Sequence, residues 1–337
     1  MEKIRCAVAG LGYWGPNLVR NVATLSATHI GALCDPCPEH LDRIATQYPS
    51  ARASRDFLEI LSDPKIDAVL IATPVSSHFA LAIEALRSGK HVFVEKPLAS
   101  TVEEAEQLVE EARRRGRTLM VDHVFVYTPA VRRIRKLIDE GAIGEIYYYD
   151  SVRINLGLFQ HDVNVIWDLA VHDLSILDYI INERPTAVSA VAAAHLPGRN
   201  ENIAYITCFF KSSLIAHLHV NWLAPIKLRR TLVGGSRKMI VYDDIEPDEK
   251  IKVYDRGVDQ NGIVGPNVQV GYRLGDMWAP VLDRTEALST SIRHFVECIQ
   301  TGAAPLTDGR CGLRIVRLLD AATRSMKSGG QPVPVEP

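Results

Sequence analysis

The chain has no excess of charge of either sign: 38 Lys and Arg against 40 Asp and Glu leave a formal −2 over 337 residues. A polyanion partner needs a basic surplus to neutralise phosphates, so no nucleic-acid partner is expected. The one arginine cluster (Arg113, Arg114, Arg115, Arg117) reads as the charged end of a helix, where cations complement the dipole. Long apolar runs are also missing. None approaches the ~20 residues of a spanning helix, and the N-terminus leads straight into an apolar strand. No membrane partner is expected, and the cytoplasm is the expected location. Cysteine is sparse, with six residues scattered along the chain. Cys34 and Cys37 form a C-x-x-C, but no second pair stands at zinc-ligand spacing. All six read as free thiols, and no metal is expected.

What is present is an ordinary globular balance, 47% hydrophobic and 23% charged, in a chain long enough for two cores. Internal repeats and low-complexity segments are absent, apart from a short Pro-rich tail. Residues 1–122 alternate short apolar runs (4–9, 30–34, 68–72, 92–94, 118–121) with amphipathic stretches. The last of these stretches is entered through a capping-box pattern at Ser100 and Glu103. That alternation predicts a Rossmann-type, doubly wound parallel sheet. After Asp122 the rhythm changes. Two helical stretches, 129–140 and 167–181, bracket a strand-like run at 145–153, and mostly strands follow. Residues 123–337 are therefore read as a second, α+β domain with a large, mostly antiparallel open sheet, its final helices able to pack back on the first domain. Overall the fold class is α/β. Residues 255–275, rich in Gly, Asn and Gln, read as a long loop.

Chemistry concentrates in three places. Gly10-Leu11-Gly12-Tyr13-Trp14-Gly15 follows the first strand and opens the first helix. Glycine allows the tight turn at the first position, backbone approach to a pyrophosphate at the second and close helix packing at the third, while the helix N-terminus offers free N–H groups. Asp35 follows at the end of the second strand, where a carboxylate accepts ribose hydroxyls; no arginine follows it directly to hold a 2′-phosphate, so NAD is favoured over NADP. The second place is Thr73, Pro74 and His78 with Glu95-Lys96-Pro97, at carboxyl ends of parallel strands, where such folds bind ligands. The third is Trp167-Asp168-Leu169-Ala170-Val171-His172-Asp173: on a helix Asp168 and His172 share a face, and a carboxylate beside an imidazole raises its basicity.

On these residues the chain resembles the Gfo/Idh/MocA oxidoreductase family. G-L-G-Y-W-G, V-E-K-P-L and the D-L-A-V-H-D segment carry the likeness, which extends through Pro305-Leu306-Thr307-Asp308-Gly309 to the last helix. The resemblance implies an NAD-dependent enzyme in which Lys96 contacts the reacting hydroxyl and the nicotinamide. His172 would be the general acid/base, with Asp168 binding substrate or holding His172. Asn164-Val165-Ile166-Trp167 stands where the family has a glycine pair, Ala170 replaces the commoner glycine, and Tyr127 occupies a position often held by arginine or asparagine. Within the family, D-V-N-V-I-W-D-L-A-V-H-D is similar to bacterial nucleotide-sugar 3-dehydrogenases acting on UDP-N-acetylglucosamine or its uronic acid.

The expected reaction is therefore oxidation of a sugar hydroxyl, with Tyr127, Arg153, Asn155, Gln160 and Asn164 as candidate substrate contacts. Other sugars (dTDP-keto sugars, inositols, sugar phosphates), an NAD-using glycosidase and a non-catalytic NAD sensor remain alternatives. Leu214, Ala216, Leu218, Val220 and Trp222 alternate with Ile215, His217, His219 and Asn221. That period gives a sheet with one buried face and one wetter face, the expected contact of a homodimer or homotetramer.

Overall fold

The structure, a computed structural model, describes residues 3–157, 162–197, 200–259 and 271–336. The chain forms two compact units: Met1–Tyr127 with Thr285–Arg317, and Thr128–Arg284 with Leu318–Pro337.

In unit 1 the apolar runs become β1 (Ile4–Ala9), β2 (Thr28–Cys34), β3 (Arg52–Ser54), β4 (Ala68–Ile71), β5 (His91–Glu95) and β6 (Leu119–Asp122). They lie parallel in the order β3-β2-β1-β4-β5-β6. Strand order reverses between β1 and β4, which puts the ligand crevice of a doubly wound sheet at their carboxyl ends. The sheet is connected by α1 (Gly15–Thr24), α2 (Pro38–Ala45), α3 (Phe57–Leu61), α4 (Val75–Arg87) and α5 (Val102–Arg115). All four residues of β4 are buried, as a strand covered on both faces requires. The capping box of α5 lies one residue later than its sequence pattern suggests. Thr101 Oγ1 accepts from Glu104 N at 3.2 Å, and the Glu104 carboxylate takes Ser100 N at 3.0 Å. The helix closes on Gly116 at φ +59°, with Arg113, Arg114 and Arg115 in its last turn.

Unit 2 begins with α6 (Pro129–Asp139) and β7 (Ile146–Leu156), followed by α7 (Val171–Ile180). Its strands continue as β8 (Ala187–Ala193), β9 (Ile203–Phe209), β10 (Ile215–Asn221), β11 (Leu223–Gly235), β12 (Met239–Asp243) and β13 (Ile251–Tyr254). The nine-stranded sheet is completed by β16 (Met277–Trp278) and β17 (Val333–Pro334), in the order β16-β13-β12-β11-β7-β10-β9-β8-β17. Among the described residues, only the β10–β7 pair in it is parallel. The stretch read as one long loop holds a short separate ladder, β14 (Gly257–Asp259) with β15 (Gly271–Arg273). On β10, Ala216, Leu218 and Val220 are buried while Ile215 is 49% exposed. On the open face the Tyr205 ring stacks on His219, with centroids 4.4 Å apart.

Two helices follow. Helix α8 (Ala287–Thr301) belongs to unit 1, where Phe295 meets Phe93 edge to face at 5.5 Å. Thr307 next borders β6, accepting from Val121 N at 2.8 Å and donating to Val121 O at 2.7 Å. Helix α9 (Gly309–Lys327) starts in unit 1 and ends in unit 2. Among the described residues, no helix is long and apolar enough to cross a membrane.

Candidate active site

The glycine loop is shaped by contacts that admit no side chain at two of its three glycines. Gly10 sits at φ +88°, and a Cβ there would lie 2.6 Å from Ala72 O; at Gly15 a Cβ would fall 2.0 Å from Gly10 O. Gly12 is different. The nearest atom to its hypothetical Cβ is His40 Cε1 at 3.8 Å, so the protein itself leaves that space open. A bare backbone facing free space, at the start of a helix whose N-cap Trp14 makes no side-chain cap, is the cradle a pyrophosphate needs.

Asp35, only 5% exposed, closes the loop from β2: its Oδ2 accepts from Leu11 N at 2.6 Å and its Oδ1 from Cys37 N at 2.9 Å. His40 Nδ1 stands 3.5 Å from the same carboxylate. Asp35, Cys37 and His40 bring three donor atoms within 4.8 Å of one another. A carboxylate held in this way at the end of β2 fits the ribose of NAD. All six cysteines are free thiols; burial pushes Cys6 and Cys208 up to about 12, and burial with Asp35 does the same for Cys34. Cys34, next to Asp35, is therefore no nucleophile at neutral pH.

Thr73, Pro74 and His78 form the neighbouring loop and the start of α4. His78, fully buried, places one ring nitrogen 2.8 Å from Pro97 O and the other 2.9 Å from Thr73 O. It stitches the loop after β4 to the loop after β5, which carries Lys96. Glu95 and Asp122 are register partners at the ends of β5 and β6. Asp122 is 1% exposed and accepts from Trp14 Nε1 at 3.5 Å and Ser291 Oγ at 3.3 Å.

In unit 2 the segment expected to carry the acid/base pair is not a plain α-helix. Residues Ile166–Ala170, carrying Asp168, form a π-helical turn, and His172 lies just beyond it in the first turn of α7. Such turns recur at functional sites because they re-aim side chains that regular spacing would stack. The turn is held from outside. Asn164 Oδ1 accepts from Ile166 N at 3.1 Å and Trp167 N at 3.3 Å, and Trp167 Nε1 donates to Thr323 Oγ1 at 2.9 Å. Trp222 Nε1 donates to Asp168 Oδ2 at 3.1 Å, fixing that carboxylate. Asp173, next to His172, takes a two-pronged ion pair from Arg153 at 2.7 and 3.1 Å, with both side chains under 5% exposed.

Comparison with known proteins agrees with this geometry. Residues 4–123 match the oxidoreductase family with NAD-binding Rossmann fold, and residues 131–241 match the Gfo/Idh/MocA C-terminal domain. The chain belongs to the Gfo/Idh/MocA family of NAD-dependent oxidoreductases. It is 26% identical to scyllo-inositol 2-dehydrogenase (NAD(+)) of Bacillus subtilis, over 97% of this chain and 95% of the relative. It is also 26% identical to UDP-N-acetylglucosamine 3-dehydrogenase of Acidithiobacillus ferrooxidans, over 94% and 95%. A solved structure of UDP-N-acetylglucosamine 3-dehydrogenase from Acidithiobacillus ferrooxidans superposes with TM-score 0.83 at 24% identity, covering 97% of this chain and 99% of that one.

In this Gfo/Idh/MocA oxidoreductase, Gly10, Gly12, Tyr13, Trp14, Gly15, Asp35, Thr73, Pro74, His78, Glu95 and Lys96 all belong to unit 1, and Asp168 and His172 to unit 2. The expected substrate contacts divide. Arg153 is buried against Asp173 and Asn164 caps the π-turn, so both hold the Asp168–Asp173 segment in place. Tyr127 is 1% exposed, its hydroxyl 3.1 Å from Thr307 Oγ1. Asn155, half-buried on β7, makes no side-chain hydrogen bond among the described residues, and Gln160 lies outside them. Sequence reading missed Asp122, Trp222 and Asp173. Tyr149, Ser151 and Arg153 share the buried face of β7 at period two, a signal that places Arg153 inward.

Proposed function

We propose that this enzyme oxidises C3 of a UDP-N-acetyl-sugar. Bound NAD supplies the hydride acceptor. Lys96 places its positive charge on the reacting oxygen and stabilises the alkoxide as it develops. His172 takes the hydroxyl proton, and Asp168, fixed by the Trp222 indole, orients substrate or imidazole. The observation that carries the reading is the combination of a loop open to NAD at Gly12 with an Asp168 carboxylate held rigidly one turn from His172. The sugar rests on the likeness to UDP-N-acetylglucosamine 3-dehydrogenase along almost the whole chain. A cytoplasmic location, and homo-oligomers formed through the open face of the large sheet, belong to the same proposal; sedimentation at micromolar concentration reads the latter.

The test is the absorbance of reduced nicotinamide when the purified protein meets NAD and UDP-N-acetylglucosamine or its uronic acid. The band should grow, and Lys96→Ala and His172→Ala should each cut turnover at least about 100-fold with NAD binding retained. Growth with an inositol alone moves the substrate to the polyols. Full turnover in both variants removes the two residues from the chemistry.

A further inference from the structure

Unit 1 holds a cavity of about 490 Å³ at the amino ends of β5 and β6, the end of the parallel sheet opposite the glycine loop. Its size suits a small organic ligand. Leu119, Ile299 and Pro305 give it apolar walls, while His91, Arg117 and Arg310 bring nitrogen donors to it. His91 decides the chemistry. Thr118 N donates to its Nδ1 at 3.0 Å, so that nitrogen carries no proton and the neutral ring keeps its hydrogen on Nε2. Arg117 Nη1 stands 3.4 Å from this Nε2. A guanidinium only donates, so the two nitrogens are both donors and share no hydrogen bond. Burial, with the Arg117 charge beside it, pushes the imidazole down to about 4, which keeps the ring neutral near pH 7. The neighbouring charges supply no acceptor. Arg113 is held by Glu110 at 2.7 and 2.9 Å, and Arg310 has no acidic partner among the described residues. Asp308 also borders the cavity, with its Oδ1 on Cys311 N at 2.8 Å.

We propose that this cavity is a ligand site separate from the cofactor loop, and that it binds a phosphate monoester. His91 Nε2–H, Arg117 and Arg310 hold the phosphate, and the organic part of the ligand lies against Leu119, Ile299 and Pro305. A phosphate supplies the acceptor that the two facing donors lack, and its three terminal oxygens match three separate donor groups. A carboxylate has only two oxygens and leaves one donor group unmatched. The apolar walls favour an ester over the bare inorganic ion, because burying the organic part removes apolar surface from water. The site uses neither Lys96 nor His172, so it does not depend on the function proposed above.

The test is an NMR titration of the intact protein near pH 7, saturated with NAD so that the glycine loop is occupied. The reporter is the His91 ring resonance, identified by its loss in His91→Gln. The probes are phenyl phosphate, inorganic phosphate and benzoate. Phenyl phosphate should move the His91 resonance saturably, with a Kd of about 1 mM or below. Inorganic phosphate and benzoate should each bind about tenfold more weakly. Arg117 and Arg310 are exposed, so Arg117→Gln and Arg310→Gln should keep the fold. Each should weaken phenyl phosphate about tenfold while NAD affinity stays unchanged. No saturable movement of His91 up to about 10 mM phenyl phosphate overturns the site. Undiminished binding in both arginine variants overturns it too. Benzoate binding as tightly as phenyl phosphate overturns the assignment to a phosphate. None of these outcomes depends on whether a sugar is oxidised.

Discussion

The loop at residues 10–15 takes its shape first from backbone sterics, through a left-handed Gly10 and a helix start pressed against the preceding carbonyl, with the Asp35 carboxylate accepting from Leu11 N to close it. The turn at residues 166–173 is held by side chains far away in sequence: Trp222 on Asp168, Thr323 on Trp167, Arg153 on Asp173. A loop built from local sterics keeps its form wherever the strand and helix around it are present. A turn built from distant hydrogen bonds exists only once its unit has packed. The first therefore suits a cofactor cradle that must be open and rigid, the second a carboxylate and imidazole whose aim must be exact to a fraction of an ångström.

The comparison breaks most severely at Arg153. Arg153→Ala strands the buried Asp173 charge and should cost about 3–5 kcal/mol in denaturant unfolding, while Arg153→Met with Asp173→Leu should recover most of it. A loss under about 1 kcal/mol would mean that the acid/base turn does not depend on this pair. Gly15→Ala comes next, at about 3 kcal/mol, because its Cβ collides with a backbone oxygen that cannot step aside. Its counterpart sharpens the contrast: Gly12→Ala should change stability by less than about 0.5 kcal/mol yet weaken NAD binding in a titration. Equal destabilisation by the two substitutions would show that Gly12 serves packing and not the cofactor. A smaller loss than at Gly15 is expected at Trp222→Phe, which removes one hydrogen bond to a charged group, about 2 kcal/mol. Turnover should fall there while NAD affinity stays, since the indole and the cofactor loops lie in different units.

Much of this was legible in residue order. Strand β1 has the bounds its apolar run gives, and the glycine spacing, Asp35 and the Glu95-Lys96-Pro97 turn are all short-range patterns. Less legible was β3, a three-residue strand whose first two residues are exposed and which carries no apolar run. The first half of β11 is also hard to read, because its pairing with β7 is irregular between Leu223 and Leu228, which breaks the period-two signal. Arg153 is a candidate substrate contact in the sequence because it lies close before the Asp168–His172 segment; its burial follows from its inward face on β7 and the acceptor at Asp173.

By itself the sequence determined what depends on neighbours along the chain: the doubly wound alternation, the tight glycine turn, the preference for NAD at Asp35 and the presence of Lys96, Asp168 and His172. Backbone sterics and side-chain periodicity act over a few residues, so residue order is enough to specify them. Tertiary structure alone decided that residues 285–317 belong with the first unit, that Asp168 is held by an indole 54 positions away, and that Glu95 pairs in register with Asp122. Those pairings depend on which strand ends become neighbours. That is settled when apolar faces bury one another across the whole unit, and the polar groups left inside must then find partners wherever the packing has put them.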